Sequence, residues 1–229
     1  KGLHRRTLVR LQMNWLQKEF PGETVFCVAQ GPHYAALEGC GKVLSFDAGI
    51  GQSNALNHIL RAYSQTQDDW LLILDNDIIG TKIDALRPVV RSLNAKPDWD
   101  AVSLVQHNFP SPTSSINFYS TYFLCSAAQL IRPSCIGVEF DADRKYMKDV
   151  DWGVRAQMQG LRTYRMQKRR DIVRNAGAND STLFSSNSER WRIYNRELAR
   201  LSEKTGHQLT PHGTLREDPP LKIDLTTIE

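Results

Sequence analysis

Two aspartates, Asp75 and Asp77, follow the most apolar stretch of the sequence, residues 70–74. Alternate side chains at the end of a strand point the same way, so both carboxylates can approach one cation. Carboxylate oxygens suit hard divalent ions such as Mg²⁺ or Mn²⁺, which bind through one or two carboxylates together with substrate phosphates. Such an ion would offset the charge of a diphosphate leaving group. The pattern predicts metal-assisted chemistry on a phosphorylated donor, although aspartate and asparagine also form ordinary turns after strands.

The elements that must position these carboxylates alternate between helix and strand patterns. The predicted helices are 4–19, 53–63, 82–93, 145–159 and 186–206, and the predicted strands are 24–29, 42–46, 70–74, 101–105, 117–125 and 162–166. Unbroken apolar strands separated by helices indicate the α/β class, with a mostly parallel central sheet flanked by helices. Ligands of such sheets bind at the carboxyl ends of the strands, where the two aspartates lie.

Length and composition limit the classes of protein to consider. The 229 residues suit a single α/β domain, which we place at 1–206, followed by an extended tail at 207–229. A 41% apolar and 24% charged composition excludes a disordered chain, and no apolar run is long enough for a membrane span. The net charge of +4 permits a polyanionic partner without requiring one. The four cysteines show no metal-binding spacing, which indicates free thiols in a reducing compartment.

Two blocks of the sequence resemble the GT-A glycosyltransferases, which transfer sugars from nucleotide sugars. In the first block, a glycine-containing loop and an asparagine-bearing helix at 49–60 precede the apolar strand and its D-x-D. The second block, with FD at 140–141, MKDVDW at 147–152 and GLRTY at 160–164, follows in the family's order. This resemblance over residues 23–170 implies a single Rossmann-like GT-A domain. It also implies that Asp75 and Asp77 bind Mn²⁺ or Mg²⁺ and the diphosphate of a nucleoside diphosphate sugar, here a UDP-sugar.

The second block implies a general base for the acceptor hydroxyl at the start of helix 145–159. Lys148 stands where the family usually has glutamate, so the resemblance implies Asp149 as the general base and Asp151 as the second candidate. Asp151 also lies four residues before Arg155, a spacing that forms an ordinary helical salt bridge. A structural role for Asp151 therefore stays open beside the catalytic one.

The resemblance places the donor nucleotide at the ends of the first strands. The implied cofactor-binding residues are Gln30, Asp47, Gly49, Gly51, Asn54, Asn57, Asp75 and Asn76. The two glycines would let the backbone approach the nucleotide closely. Many GT-A enzymes also supply a histidine metal ligand after the second block. Residues 175–180 contain none, which leaves His207 and His212 as late candidates.

Within the family, the sequence looks closest to phage DNA-base glycosyltransferases, which modify a hydroxymethyl-type hydroxyl on a pyrimidine. The shared features are the strand at 25–30, the glycine and asparagine pattern at 49–60, and DNDI at 75–78. Double-stranded DNA would need a basic surface beside the polar loop 171–187. The predicted nucleic-acid contacts are Lys168, Arg169, Arg170 and Arg174. We therefore expect that loop, the helix after it and the tail to recognise the acceptor.

Other interpretations stay open from the sequence alone. Arginines on exposed helix faces are ordinary, so the acceptor can also be a cell-envelope polysaccharide or a small molecule. A function of another class would be a nucleotidyltransferase or a non-catalytic nucleotide-binding module, although no glycine-rich phosphate loop follows the first visible strand. We expect a cytoplasmic location, which would be the host cytoplasm for a phage-encoded chain.

Overall fold

The computed structural model describes residues 2–30, 42–46, 49–66, 68–76, 78–80, 83–104, 115–144, 146–166, 173–175, 187–211, 213–216, 218 and 221–224. The helices are α1 (Gly2–Glu19), α2 (Gln52–Tyr63), α3 (Arg87–Asn94), α4 (Lys148–Met158) and α5 (Asn187–Thr205). The strands are β1 (Phe26–Gln30), β2 (Lys42–Phe46), β3 (Leu71–Leu74), β4 (Ile78–Gly80), β5 (Ala101–Ser103), β6 (Ser115–Ser120), β7 (Ala128–Ile131), β8 (Thr163–Met166), β9 (Val173–Asn175) and β10 (Leu221–Asp224).

The central sheet has six strands in the order β10-β6-β8-β5-β7-β3. Only β5 and β8 pair in parallel, while the other four neighbouring pairs are antiparallel. The prediction of a mostly parallel sheet is therefore wrong for this sheet, although the α/β class and the flanking helices are confirmed. A parallel pairing as predicted occurs between β1 and β2, which form a separate two-stranded sheet.

Strand β7, which reverses the direction of pairing, is not among the strands predicted from the sequence. β7 lies between β3 and β5 and runs antiparallel to both, so β3 and β5 share one direction without touching. An apolar run shows that a strand is covered on both faces, but it carries no information about the direction of its neighbours. The predicted strand 117–125 ends at Ser120, and the chain then leaves the ladder before β7 begins.

The core consists of apolar layers on the two faces of this sheet. On one face, Leu86, Val89 and Leu93 pack with Trp15 of α1 and Leu130 of β7. On the other face, α2 and α4 cover the sheet through Leu56, Leu60, Trp152 and Ala156, which pack with Ile73 and Ile131. Among the described residues, no helix is both long enough and apolar enough to cross a membrane.

Helix α5 and the last strand complete the fold. Leu198 and Leu201 of α5 pack with Val150 and Val154 of α4, so the two helices share a small core. Within the segment 207–229, which the sequence predicts to be an extended tail, Leu221–Asp224 pair with β6 at the edge of the sheet.

Helix α3 begins later than the predicted 82–93, and a distant carboxylate explains its first residue. Glu19, which is fully buried at the end of α1, accepts hydrogen bonds from the backbone N–H groups of Leu86 at 2.8 Å and Arg87 at 2.7 Å. These are N–H groups that the first turn of a helix leaves without an intrahelical partner. A long-range contact thus caps α3, which local sequence patterns cannot reveal.

Candidate active site

Asp75 lies at the carboxyl end of β3, where a side chain from α1 fixes the turn that follows it. The buried Gln12 donates from Nε2 to the carbonyl oxygens of Asp75 and Ile78, each at 2.7 Å. The N–H of Ile78 also donates to the Asp75 carbonyl at 3.1 Å. The turn that carries the D-x-D pattern is therefore held from its backbone side.

The carboxylate of Asp75 faces the start of α2. Gln52, the first residue of that helix, donates from Nε2 to Asp75 Oδ1 at 3.0 Å. Gly51 precedes it with φ of +78°, a conformation that L side chains rarely adopt, so a glycine is required at this turn. The sequence analysis missed Gln52, and its position directly after the glycine loop is the signal that could have identified it.

A short segment before β7 joins the two predicted acidic sites. The N–H of Asp75 donates to the carbonyl of Ala127 at 2.8 Å, and the N–H of Ser126 donates to Asp149 Oδ2 at 3.4 Å. Burial raises the pKa of the neighbouring Cys125 thiol to about 12, and the negative charges of Asp149 and Asp75 add to this effect. The structure therefore brings Asp75 and Asp149 to the same part of the molecule.

Asp149 occupies the first turn of α4 and is half-buried there. Its Oδ1 accepts a hydrogen bond from the N–H of Val150 at 3.0 Å. Burial raises the pKa of the Asp149 carboxyl, while Lys148 and the N–H groups of Ser126 and Val150 act in the opposite direction. A carboxylate with a raised pKa holds a proton more readily, which is the property of a general base.

The approach of α4 to the segment before β7 depends on a glycine. A Cβ atom at Gly153 would collide with the carbonyl oxygen of Tyr122. Met147, which precedes α4, has φ of +53° and lies in the left-handed region, a conformation that costs a residue other than glycine free energy. Both features place the first turn of α4, and with it Asp149, against Ser126.

Asp151 has a different environment from Asp149. Its side chain is fully buried, and its Oδ2 accepts a hydrogen bond from Arg155 Nε at 2.9 Å and lies 2.7 Å from Arg155 Nη2 in an ion pair. Arg144 Nε lies 3.5 Å from the other carboxylate oxygen. This arrangement corresponds to the helical salt bridge that the sequence left open, and two guanidinium groups surround the carboxylate.

The two asparagines of α2 make contacts within the protein. Asn54 donates to the carbonyl of Ile50 at 2.8 Å, which closes the first turn of the helix. Asn57 is buried, donates to the carbonyl of Phe140 at 2.8 Å, and accepts from the N–H of Phe140 at 2.6 Å. Asn57 thus ties α2 to the chain that leads into α4. Gly49 lies exposed two residues before Gly51, and Asn76 is exposed next to Asp75.

Several predicted site residues lie outside the described part of the structure. These are Asp47, Asp77, Lys168, Arg169, Arg170 and His212. For Gln30 and Arg174 the structure describes the backbone, in β1 and β9. Within the described ranges, no group of three or more histidine, cysteine, aspartate or glutamate side chains could hold a metal ion. The oxygen donor that Asp75 offers matches the ligand preference of Mg²⁺ and Mn²⁺.

No family model matches this chain, and no curated protein matches it. Among solved structures, Staphylococcus aureus TarS 1–349 has a TM-score of 0.56 at 14% identity, over 77% of this chain and 58% of that chain. The TarS 1–349 complex with UDP has a TM-score of 0.55 at 13% identity, over 74% of this chain and 56% of that chain. A longer TarS structure has a TM-score of 0.53 at 13% identity, over 74% of this chain and 34% of that chain.

The chain thus spans little more than half the length of TarS 1–349. At these identities the likeness concerns the fold alone. This chain has the GT-A fold of glycosyltransferases.

Proposed function

We propose that this protein transfers a sugar from a UDP-sugar to an acceptor hydroxyl. The observation that carries the proposal is the attachment of Asp75 and Asp149 to adjacent residues of one segment, Ala127 and Ser126. A reaction of this kind needs one carboxylate beside the diphosphate and another beside the acceptor, and the two must be close. The UDP complex of TarS, which shares the fold, supports UDP as the nucleotide of the donor.

The donor diphosphate is proposed to lie between the end of β3 and the start of α2. Asp75 and Asp77 would hold Mg²⁺ or Mn²⁺ there, and the ion would offset the negative charge of the departing UDP. Gln52 keeps the Asp75 carboxylate turned toward α2. The N-terminal end of a helix favours negative charge, so the first turn of α2 also suits a phosphate group.

Asp149 is proposed as the general base. The acceptor oxygen would form a bond to the anomeric carbon of the sugar, and the bond from that carbon to the UDP oxygen would break, with its electron pair leaving on UDP. The proton of the acceptor hydroxyl would pass to the Asp149 carboxylate, whose raised pKa suits this step. We assign Asp151 a structural role because Arg155 and Arg144 surround its buried carboxylate.

The acceptor predicted from the sequence, a hydroxymethylated pyrimidine in phage DNA, stays a prediction. The basic side chains invoked for it lie outside the described residues, or have only their backbone described. A second run of arginines lies on α5, where Arg196 and Arg200 each pair with Glu197 at 3.3 and 3.0 Å. That pairing reduces the positive charge offered to a phosphate backbone. The cytoplasmic location also stays a prediction.

The direct test is release of UDP from a panel of UDP-sugars in the presence of Mn²⁺. We expect one donor to be hydrolysed slowly without an acceptor, and Asp149→Asn to lower transfer by about 10²- to 10⁴-fold while UDP binding persists. Full transfer activity in Asp149→Asn would refute the assignment of the base. UDP binding without turnover of any donor would favour the non-catalytic nucleotide-binding module, and turnover of nucleoside triphosphates would favour a nucleotidyltransferase.

A further inference from the structure

The chain that follows α5 forms a strap, which we define as residues 209–211 and 213–216. The N–H of Leu209 donates to Ser202 Oγ of α5 at 3.1 Å. Leu209 and Leu215 pack in the small core that α4 and α5 share. The strap is therefore attached to both helices.

Polar contacts fix the strap at the C-terminal end of α4. The buried Gln157 accepts a hydrogen bond from the N–H of Leu215 at 2.7 Å and donates to Thr214 Oγ1 at 3.2 Å. Just after the helix, the carbonyl of Gly160 accepts a hydrogen bond from Arg216 Nη1 at 2.6 Å. The strap thus has a fixed position relative to the helix whose first turn carries the proposed general base.

Tyr122 joins the strap to the segment before β7, residues 121–127. Its Oη atom donates to the carbonyl of Thr210 and accepts from the N–H of Thr210, each at 2.7 Å. The carbonyl of Gly213 accepts from the N–H of Tyr122 at 3.2 Å and from Thr121 Oγ1 at 2.8 Å. A Cβ atom at Gly213 would collide with Tyr122 Oη, so this close approach requires a glycine. Four hydrogen bonds therefore fasten two adjacent residues of the segment to the strap.

The other end of the segment contacts the proposed general base. The N–H of Ser126 donates to Asp149 Oδ2 at 3.4 Å. Between the two ends, the fully buried Leu124 donates from its N–H to the Tyr122 carbonyl at 3.1 Å, and the same carbonyl lies against Gly153 of α4. Tyr122 therefore contacts the strap through its hydroxyl and α4 through its backbone, close along the chain to the contact with Asp149.

The donor side of the site has other supports. Although the N–H of Asp75 donates to Ala127 of the segment, Gln12 holds the carbonyl of Asp75 and Gln52 contacts its carboxylate. Both glutamines belong to helices α1 and α2, and neither contact passes through the strap. A change at Tyr122 should therefore affect the base more than the binding of the donor.

We propose that Tyr122 is a positioning residue for Asp149, and that the strap is the support against which it acts. The role in catalysis rests on the function proposed above, whereas the position of Asp149 can be measured without any substrate. The Tyr122 hydroxyl holds the segment against α4, so that the Ser126 N–H reaches the Asp149 carboxylate. Without this hydroxyl, the N–H and the carbonyl of Thr210 lose their partner and the segment can move away from Asp149.

The titratable groups around Asp149 allow this movement to be detected. In the described part of the chain, those that face it are Lys148 of α4, Cys125 of the segment and Tyr194 of α5. Burial raises the pKa of the Asp149 carboxyl, while Lys148 and the Ser126 N–H lower it. Loss of the Ser126 contact should therefore raise this pKa further, because a hydrogen bond to the charged form of a carboxyl favours that form.

The test is Tyr122→Phe, studied by NMR titration of the full chain with ¹³C-labelled aspartate carboxyl groups. The Asp149 resonance is identified by its absence in Asp149→Asn. We expect its titration midpoint to rise by about 0.5 to 1 pH unit in Tyr122→Phe. We also expect kcat for sugar transfer to fall at least about tenfold, with the KM for the donor little changed.

Tyr63→Phe is the matched control. Tyr63 is also buried, and its hydroxyl donates to the carbonyl of Asp68 at 3.0 Å. Tyr63 ends α2, about 16 Å along the helix from Gln52. This control should lower the stability as Tyr122→Phe does, but it should leave the Asp149 midpoint and kcat unchanged.

Circular dichroism would show whether the variants fold. Thr121→Val, which keeps the shape of the side chain and removes its hydrogen bond to Gly213, replaces Tyr122→Phe if the latter does not fold. An unchanged Asp149 midpoint in the folded variant overturns the proposal, and so does an equal rise in the Tyr63→Phe control.

The same samples separate this proposal from the proposed function. A chain in which the Asp149 midpoint rises but which transfers no sugar would keep the positioning role and refute the transferase. A raised midpoint with an unchanged kcat would keep the positioning role and refute Asp149 as the general base. An active transferase whose Asp149 midpoint does not respond to Tyr122→Phe would keep the proposed function and refute the positioning role.

Discussion

Gln12 and Asp75 are 63 positions apart in the sequence, and the side-chain amide of Gln12 donates to the Asp75 carbonyl at 2.7 Å. The same Nε2 atom donates to Ile78, so one buried side chain fixes both ends of the turn that presents Asp75. Helix α1 thus has a part in the site although none of its residues carries the proposed chemistry. The orientation of the Asp75 carboxylate depends on this contact because the carbonyl and the side chain belong to the same residue.

Replacement of Gln12 by methionine should therefore weaken donor binding. Gln12→Met keeps the length of the side chain and removes its donor, so the Asp75 carbonyl keeps only the Ile78 N–H and the Ile78 carbonyl loses its bond to Gln12. This loss should cost about 1 to 3 kcal/mol of stability. We expect the KM for the UDP-sugar to rise while the pH dependence of kcat stays the same. Gln17→Met, an exposed position on the same helix, is the control and should change neither stability nor KM. An unchanged donor KM in folded Gln12→Met would show that the turn does not depend on Gln12.

The second prediction concerns the pH dependence of stability at Asp149. Burial raises the pKa of this carboxyl in the folded state above the usual value of about 3.9 for the unfolded chain. Between these two pKa values the folded state binds more protons, so the contribution of Asp149 to stability is complete at lower pH and is lost as pH rises through the folded pKa. We expect the stability of the wild type relative to Asp149→Asn to fall as the pH rises through the folded pKa, and the variant to lack this dependence.

Urea unfolding of both proteins over a series of pH values would measure the effect. The N–H groups of Ser126 and Val150 donate to different oxygens of Asp149, and asparagine offers only one acceptor oxygen, so Asp149→Asn loses one of these hydrogen bonds at every pH. The pH-dependent part of the difference in stability therefore reports the titration of Asp149. A wild-type stability that rises with pH across this window, relative to the variant, would contradict the raised pKa. The same window should appear as the acidic limb of kcat, because the general base must be deprotonated to accept a proton.

The parts of the site that the sequence reveals are those that depend on neighbours along the chain. Apolar runs and helical periodicity depend on short stretches, so the sequence places Asp75 directly after β3 and Asp149 in the first turn of α4. The contact of Gln12 with the Asp75 turn joins distant elements, and no local pattern specifies it. The direction of the strands is missed for the same reason, because β7 is short and its antiparallel pairing is set by the whole sheet.

The two candidate bases also show that local sequence patterns do not reveal contacts between distant residues. Spacing alone gives Asp149 and Asp151 similar positions in the first turn of α4, and the sequence orders them by resemblance. Contacts with other parts of the chain separate them, because Ser126 contacts Asp149 whereas Arg144 lies beside Asp151. The i,i+4 pair with Arg155 was the one feature of Asp151 that the sequence made visible.

Asp151 should contribute to stability and not to the chemical step. Asp151→Asn leaves Arg155 without this opposing charge and the largely buried Arg144 with only the more distant Glu197, and removal of one partner of a buried pair costs about 3 to 5 kcal/mol. We expect a lower midpoint of unfolding in urea and a kcat close to that of the wild type at temperatures where the variant is folded. The double variant Asp151→Asn with Arg155→Gln should lose less stability than the two single variants added together. A folded Asp151→Asn protein without transfer activity would make Asp151 a candidate for the catalytic base again.

Gly153 gives the last prediction, because it allows α4 to approach the segment before β7. A methyl group at this position would collide with the carbonyl oxygen of Tyr122, and a backbone atom cannot move aside as the end of a flexible side chain can. Gly153→Ala should therefore cost about 1 to 3 kcal/mol by overpacking, despite the better helix propensity of alanine. It should also move Asp149 away from Ser126 and lower kcat more than it changes the KM for the donor. Gly137→Ala is the control, because a Cβ atom there has open space around it and the residue is exposed. Equal stabilities of the two variants would show that α4 and the Tyr122 backbone are not in contact. That result would also refute the proposed position of Asp149 against Ser126.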